Sequence, residues 1–191
     1  MRSFHRFCRA LALLFIVAVS TDVRAQEHDF LLPDTKVSAL IKQLLHRLGG
    51  DDLEAYFGIN PRIVLMHSLQ PNAFAVAPNT IVLTSALLDN LESQDELAFA
   101  LAHELGHFAL GHTTQHRAHQ ALAAPSMTTQ IAHEMEADAF AWNLLDQAKL
   151  DRQAGLRLLT RLSRFGHKGA AKLALSFPSF APRLEVLANQ H

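Results

Sequence analysis

His103-Glu104-Leu105-Gly106-His107 constrains this chain more than any other stretch, because H-E-x-x-H on a helix sets two imidazoles one turn apart on one face. Both can reach one tetrahedral Zn²⁺ at about 2.0–2.1 Å without distorting the helix. Glu104 then lies beside the water that such a metal activates and is the candidate general base. The chain carries 12 His and 18 acidic residues, so the pentapeptide would arise by chance in roughly a few per cent of such sequences. Its surroundings decide in favour of a helix. Ser93 to Glu96 is an S-x-x-E capping box, and Leu97, Leu101, Leu105 and Phe108 follow at helical spacing.

A catalytic zinc takes a third protein ligand and keeps its fourth position open, so a second element has to bring a donor to this helix. Ile131, Met135, Ala139, Trp142 and Leu145 mark such a helix, and Glu134 and Asp138 share one of its faces. Glu134 is the candidate third ligand. Asp138 is placed to accept the free ring N–H of a metal-bound His. Glu136 points about 160° away from that pair and reads as a solvated or ion-paired side chain. Trp142, on the apolar side, reads as core.

With these two motifs in hand, the chain resembles the HtpX, CAAX prenyl protease and BepA-like zinc metallopeptidases, a gluzincin family numbered forty-eight among the metallopeptidases. Asn72-Ala73-Phe74-Ala75-Val76-Ala77 is similar to the family's N-A-F segment and Thr80 to Leu88 to its following strand and turn. The likeness covers roughly residues 60 to 190. It implies an α+β, mostly helical zincin-like domain with a small sheet beside the H-E-x-x-H helix. It also implies one Zn²⁺ per chain on His103, His107 and Glu134, Asn72 as a donor to the developing oxyanion, and a sheet edge at Ala73, Phe74 and Ala75 that pairs with an extended protein or peptide substrate. One departure bears on mechanism. The family commonly places a His-Pro pair a few residues before an Arg near the C-terminus, whereas here the stretch is Ser176-Phe177-Pro178 with Arg183 following. His167 or Arg183 are the candidates to replace that His.

Met1 to Ala25 reads as a cleavable export signal, with Arg2, Arg6 and Arg9 before the apolar run Ala10 to Val19 and Val23-Arg24-Ala25 at its end. The expected organisation is therefore a signal peptide over 1–25 and one metallopeptidase domain over 26–191, in the periplasm. The single cysteine, Cys8, falls within the signal, so the mature chain has no disulfide, no cysteine ligand and no Cys nucleophile. Peptide deformylase chemistry, which shares H-E-x-x-H but takes a Cys ligand, is thereby excluded. Without the residues of the signal, 13 basic residues face 17 acidic ones, which does not point to nucleic acid.

The remaining elements are read as scaffold. Asp34 to Leu48 is an amphipathic helix closed by Gly49-Gly50; Arg62 to His67, Phe74 to Ala77 and Thr80 to Thr84 are three strands, expected to form one antiparallel sheet. Helices are expected over Asp151 to Phe165 with Gly166 as their stop, Ala170 to Leu175, and Pro182 to Ala188. His112, His116 and His119 recur at helical spacing, as a second metal site or, more simply, as a solvated helix face. The chain is expected to reverse at Pro125-Ser126, with Thr128 and Thr129 as caps. Lys149, Arg152, Arg157, Arg161, Arg164, Lys168 and Lys172 offer either a peripheral membrane or envelope-protein contact or a solvated face. The function these features support is a zinc endopeptidase acting on envelope proteins. Its rival is a non-catalytic zinc-fold binding module in which Phe177 marks lost turnover.

Overall fold

A computed structural model describes residues 35–113, 126–169 and 180–189; the export signal, Phe177, His116, His119 and the helix expected over 170–175 lie outside them. The elements are α1 (Thr35–Gly49), α2 (Leu53–Phe57), β1 (Arg62–Met66), β2 (Ala73–Val76), β3 (Thr80–Thr84), α3 (Ser85–Asp89), α4 (Gln94–Ala109), α5 (Met127–Gln147), α6 (Gln153–Gly169) and α7 (Phe180–Ala188). The mostly helical α+β class holds. No described helix is long and apolar enough to cross a membrane.

The H-E-x-x-H helix α4 is the axis of the core. Every residue from Glu96 to Gly106 is buried, as befits a helix that is apolar nearly all round. It packs against α1, β2, α5 and α6 and shares one apolar core with Leu44 and Leu45 of α1, Ile81 and Leu83 of β3 and Leu158 of α6. Ser93 caps its N-terminus by accepting the Glu96 N–H (3.2 Å), while the Glu96 side chain reaches back to the Glu92 N–H (2.8 Å). Glu96 is fully buried and is neutralised by Arg161, which also bonds the Asn90 carbonyl (2.9 Å) and Glu92 (3.0 Å). Burial of such a charge is tolerable only because it is paired and hydrogen-bonded. Arg161 thus belongs to the packing of α6 on α4 and is not free to meet a lipid surface. Arg157 is likewise taken up by Asp151 (2.6 Å), and Arg152 sits over the buried Trp142 ring (5.4 Å).

Glycines on α4 and α6 allow close approaches to aromatic rings. A Cβ on Gly106 would meet the Phe140 ring of α5 at 3.1 Å, and one on Gly155 would meet the Phe99 ring at 2.3 Å. Gly106, inside the metal motif, therefore lets α5 lie close enough for its acidic face to reach the histidines. The α5 cap is Ser126, whose Oγ accepts from the Thr129 N–H (3.1 Å), so the chain re-enters helix where expected but with the serine as cap in place of the threonines. Gly166 does not stop α6, which runs on to Gly169.

The sheet corrects the antiparallel expectation. Its order is β1-β3-β2, with β2 antiparallel to β3 and β1 parallel to it, Ile63 opposite Ile81 and Leu65 opposite Leu83. The connection 67–72 is long enough to pass over one strand position, so β2 lands on the far edge and the tight turn 77–79 returns β3 between the two. Thr84 pins this crossing: its hydroxyl lies 2.9 Å from the Gln70 carbonyl and accepts from the N–H groups of Asn72 (2.8 Å) and Leu87 (3.2 Å). One buried side chain thereby fixes the start of β2 and caps α3.

Candidate metal and catalytic site

Helices α4 and α5 bring the two motifs face to face. His103 Nε2 lies 3.1 Å from His107 Nε2, Glu134 Oε2 lies 3.4 Å from His103 Nε2, and Glu134 Oε1 lies 3.5 Å from His107 Nε2. Donors about 2.0–2.1 Å from a tetrahedral zinc stand about 3.3 Å apart, so these three separations match the edges of such a tetrahedron. Among the described residues this is the one group of His, Cys, Asp and Glu with its donor atoms gathered to hold a metal ion.

Behind the donors stands a buried ion cluster. Arg183 of α7, 3% exposed, donates from Nε and Nη2 to the two oxygens of Asp138 (2.7 and 2.8 Å), while its Nη1 lies 2.8 Å from Glu134 Oε2. His103 Nδ1 lies 3.0 Å from Asp138 Oδ1, at ion-pair distance though poorly aligned as a hydrogen bond. The sequence had offered Asp138 for this post and mentioned Arg183 only as a substitute donor. Its fork-to-fork hold on Asp138 was not legible there.

The electrostatics describe a pit that holds positive charge. Burial works against protonation of His103, yet Asp138 and Glu134 outweigh it and raise its pKa to about 10. Burial and the charge of His103 together lower His107 to about 3. Burial would raise Glu134, but His103 and Arg183 pull it down to about 2. The same contest, won by Arg183, lowers Asp138. Two carboxylates thus keep a proton on an imidazole whose surroundings would otherwise expel it, and a divalent cation held by the same three donors would take over that charge. This donor set fits Zn²⁺.

Glu104, 5% exposed, lies in the same pit. Burial raises its pKa to about 7, against the opposing charge of His103, and its carboxylate accepts the Ala75 N–H of β2. A carboxylate poised there can both take and return a proton near neutral pH. Its contact with Ala75 also shows how the sheet sits over the site. The Thr84 N–H donates to the Asn72 carbonyl (3.0 Å), so alternation along the pair turns the backbone of Phe74 and Val76 toward β3. Ala73 and Ala75 present theirs at the outer edge, which no described strand pairs. Asn72 through Ala77 line a cavity of about 740 Å³ together with His103, Glu104, His107, Glu134 and Arg183.

The profile of Peptidase family M48 matches residues 32–133, just over half of the chain, and that of Peptidase U49 matches residues 93–188. The chain belongs to peptidase family M48. Both matches span His103 to His107, and the second also spans Glu134, Asp138 and Arg183. No curated protein matches it. Membership makes this metallopeptidase's cavity, with β2 along one wall, its candidate active site.

His112 falls elsewhere than expected. His112 is not on a solvated face: it is 2% exposed, with Nδ1 3.0 Å from His107 Nδ1 and Nε2 3.0 Å from Glu136 Oε2. The His133 ring stacks on it, 4.1 Å between centroids and 10° between planes. Burial, and then His133, lower its pKa. Glu136 is ion-paired and its side chain mostly exposed, as read from its helical phase, but its partner was not foreseen.

Proposed function

We propose that this M48 peptidase is an exported, zinc-dependent endopeptidase that cleaves extended segments of misfolded or unassembled envelope proteins. The observation that carries the reading is the near-tetrahedral spacing of His103, His107 and Glu134 with Glu104 buried beside them and a free strand edge above. His103, His107 and Glu134 would hold the metal, which when bound supplies a Lewis acid for the scissile carbonyl and for water. The outward backbone groups of Ala73 and the carbonyl of Ala75 hold the substrate as an added strand and set its carbonyl over the pit; because they read main chain, sequence preference is loose. Glu104 takes the proton of the attacking water and passes it to the departing amine. Asn72, anchored by Thr84 at the cavity wall, is the donor available to the developing oxyanion. The leader over 1–25 and the thiol-free mature sequence support export to the periplasm.

The test is cleavage of an unfolded protein by the purified mature chain, with Zn²⁺, with chelator, and beside Glu104→Gln. Chelator-sensitive cleavage that drops about 10²- to 10⁴-fold in Glu104→Gln, with zinc retained, is expected. Zinc binding without cleavage under any condition would contradict the enzyme reading and leave a binding module.

A further inference from the structure

His112 occupies a position that neither packing nor solvation explains. It is buried at the end of α4, its ring is fixed by the stacked His133, and each of its ring nitrogens faces one polar atom at 3.0 Å. One of those atoms belongs to His107. The nitrogen of His107 that faces His103 and Glu134 is Nε2, so a His107 that binds metal there is neutral and keeps its proton on Nδ1. That proton then points at His112 Nδ1, which has to accept it. A neutral His112 accepting at Nδ1 carries its own proton on Nε2, where Glu136 Oε2 receives it. Only one arrangement of the two protons satisfies both contacts.

We infer that His112 is a positioning residue for the metal ligand His107, a relay that fixes the ligand's tautomer and ring plane and couples it to the Glu136 carboxylate. His103 has its carboxylate directly at Nδ1, in Asp138; at His107 Nδ1 no carboxylate stands among the described residues, and the ligand obtains one through a second imidazole. The consequence for chemistry is the same on both sides. A carboxylate at the far nitrogen makes the ligating nitrogen a better donor and stops the ring from turning. Glu136, which is not one of the three gathered donors, thereby enters the metal site.

The inference rests on the metal-site reading above, and its test separates the two. Zinc affinity and metal-free thermal stability are measured for the wild type, His112→Ala, His112→Gln and Glu136→Gln. Alongside, long-range ¹H–¹⁵N spectra of the wild type assign each histidine tautomer with zinc bound. His112→Ala should lose about 10- to 100-fold in affinity. His112→Gln, whose amide can accept from His107 and donate to Glu136, should recover part of it. Glu136→Gln, an exposed change that leaves the fold intact, should lose less than about tenfold. The spectra should show His107 protonated on Nδ1 and His112 on Nε2. A wild type that binds no zinc overturns both readings. Zinc bound equally well by His112→Ala and Glu136→Gln, or His112 protonated on Nδ1 in the zinc-bound protein, overturns this one alone.

Discussion

The two histidines of one helix turn are supported by very different surroundings. His103 leans on Asp138, which Arg183 grips with two hydrogen bonds, and all three side chains are buried. His107 leans on His112 and, through it, on Glu136, whose side chain is 59% exposed. The first arm is closed and ionic; the second is neutral until it reaches solvent. Removing a partner from a closed arm leaves a buried charge without compensation, whereas at the open arm water can step in. Stability should therefore be concentrated on the His103 side, and tuning of the metal on the His107 side.

Breaking the closed arm should have the largest effect. Arg183→Met removes the partner of Asp138 and Glu134 while keeping much of the side-chain volume, and should cost about 3–5 kcal/mol of folding stability. Denaturant unfolding of the metal-free chain reads it. His112→Ala, measured the same way, should lose clearly less, and equal losses would erase the distinction between the arms.

Moving the arms relative to each other should have a smaller effect. Gly106→Ala sets a methyl against the Phe140 ring, where the space is 3.1 Å. The resulting overpacking should cost about 1–3 kcal/mol and push Glu134 away from both histidines at once. Zinc affinity should then fall together with stability. A variant that loses affinity with an unchanged melting temperature would show that Gly106 is not what sets the spacing of α4 and α5.

The His103 and Asp138 part of the closed arm was legible in the sequence, while the Arg183 grip on it and the open arm were not, for a physical reason. H-E-x-x-H, its capping box and the Glu134/Asp138 pair are statements about one helix each, and the 3.6-residue period fixes which side chains share a face. The relation between helices is also constrained, because a third ligand has to arrive from somewhere. His112 lies just beyond the last turn of α4, where the period no longer predicts direction, and its inward course depends on His133 and Glu136 from α5. Strand pairing failed in the same way. The hairpin of β2 with β3 follows from a short turn, while the parallel pairing of β1 depends on a crossing that Thr84 holds and that no local pattern announces. Arg161 read as one charge among seven on a basic face, since nothing near it in sequence reveals the buried Glu96 waiting for it.

The central claim is that the metal is held by His103, His107 and Glu134, with Glu136 acting only at a distance. Competitive zinc titration of Glu134→Ala and Glu136→Ala beside the wild type tests it most directly. Glu134→Ala, which removes a ligand, should weaken zinc binding by more than about 100-fold, and Glu136→Ala, at the exposed end of the relay, by less than about tenfold. Loss of zinc from Glu136→Ala with tight binding kept in Glu134→Ala would contradict the account.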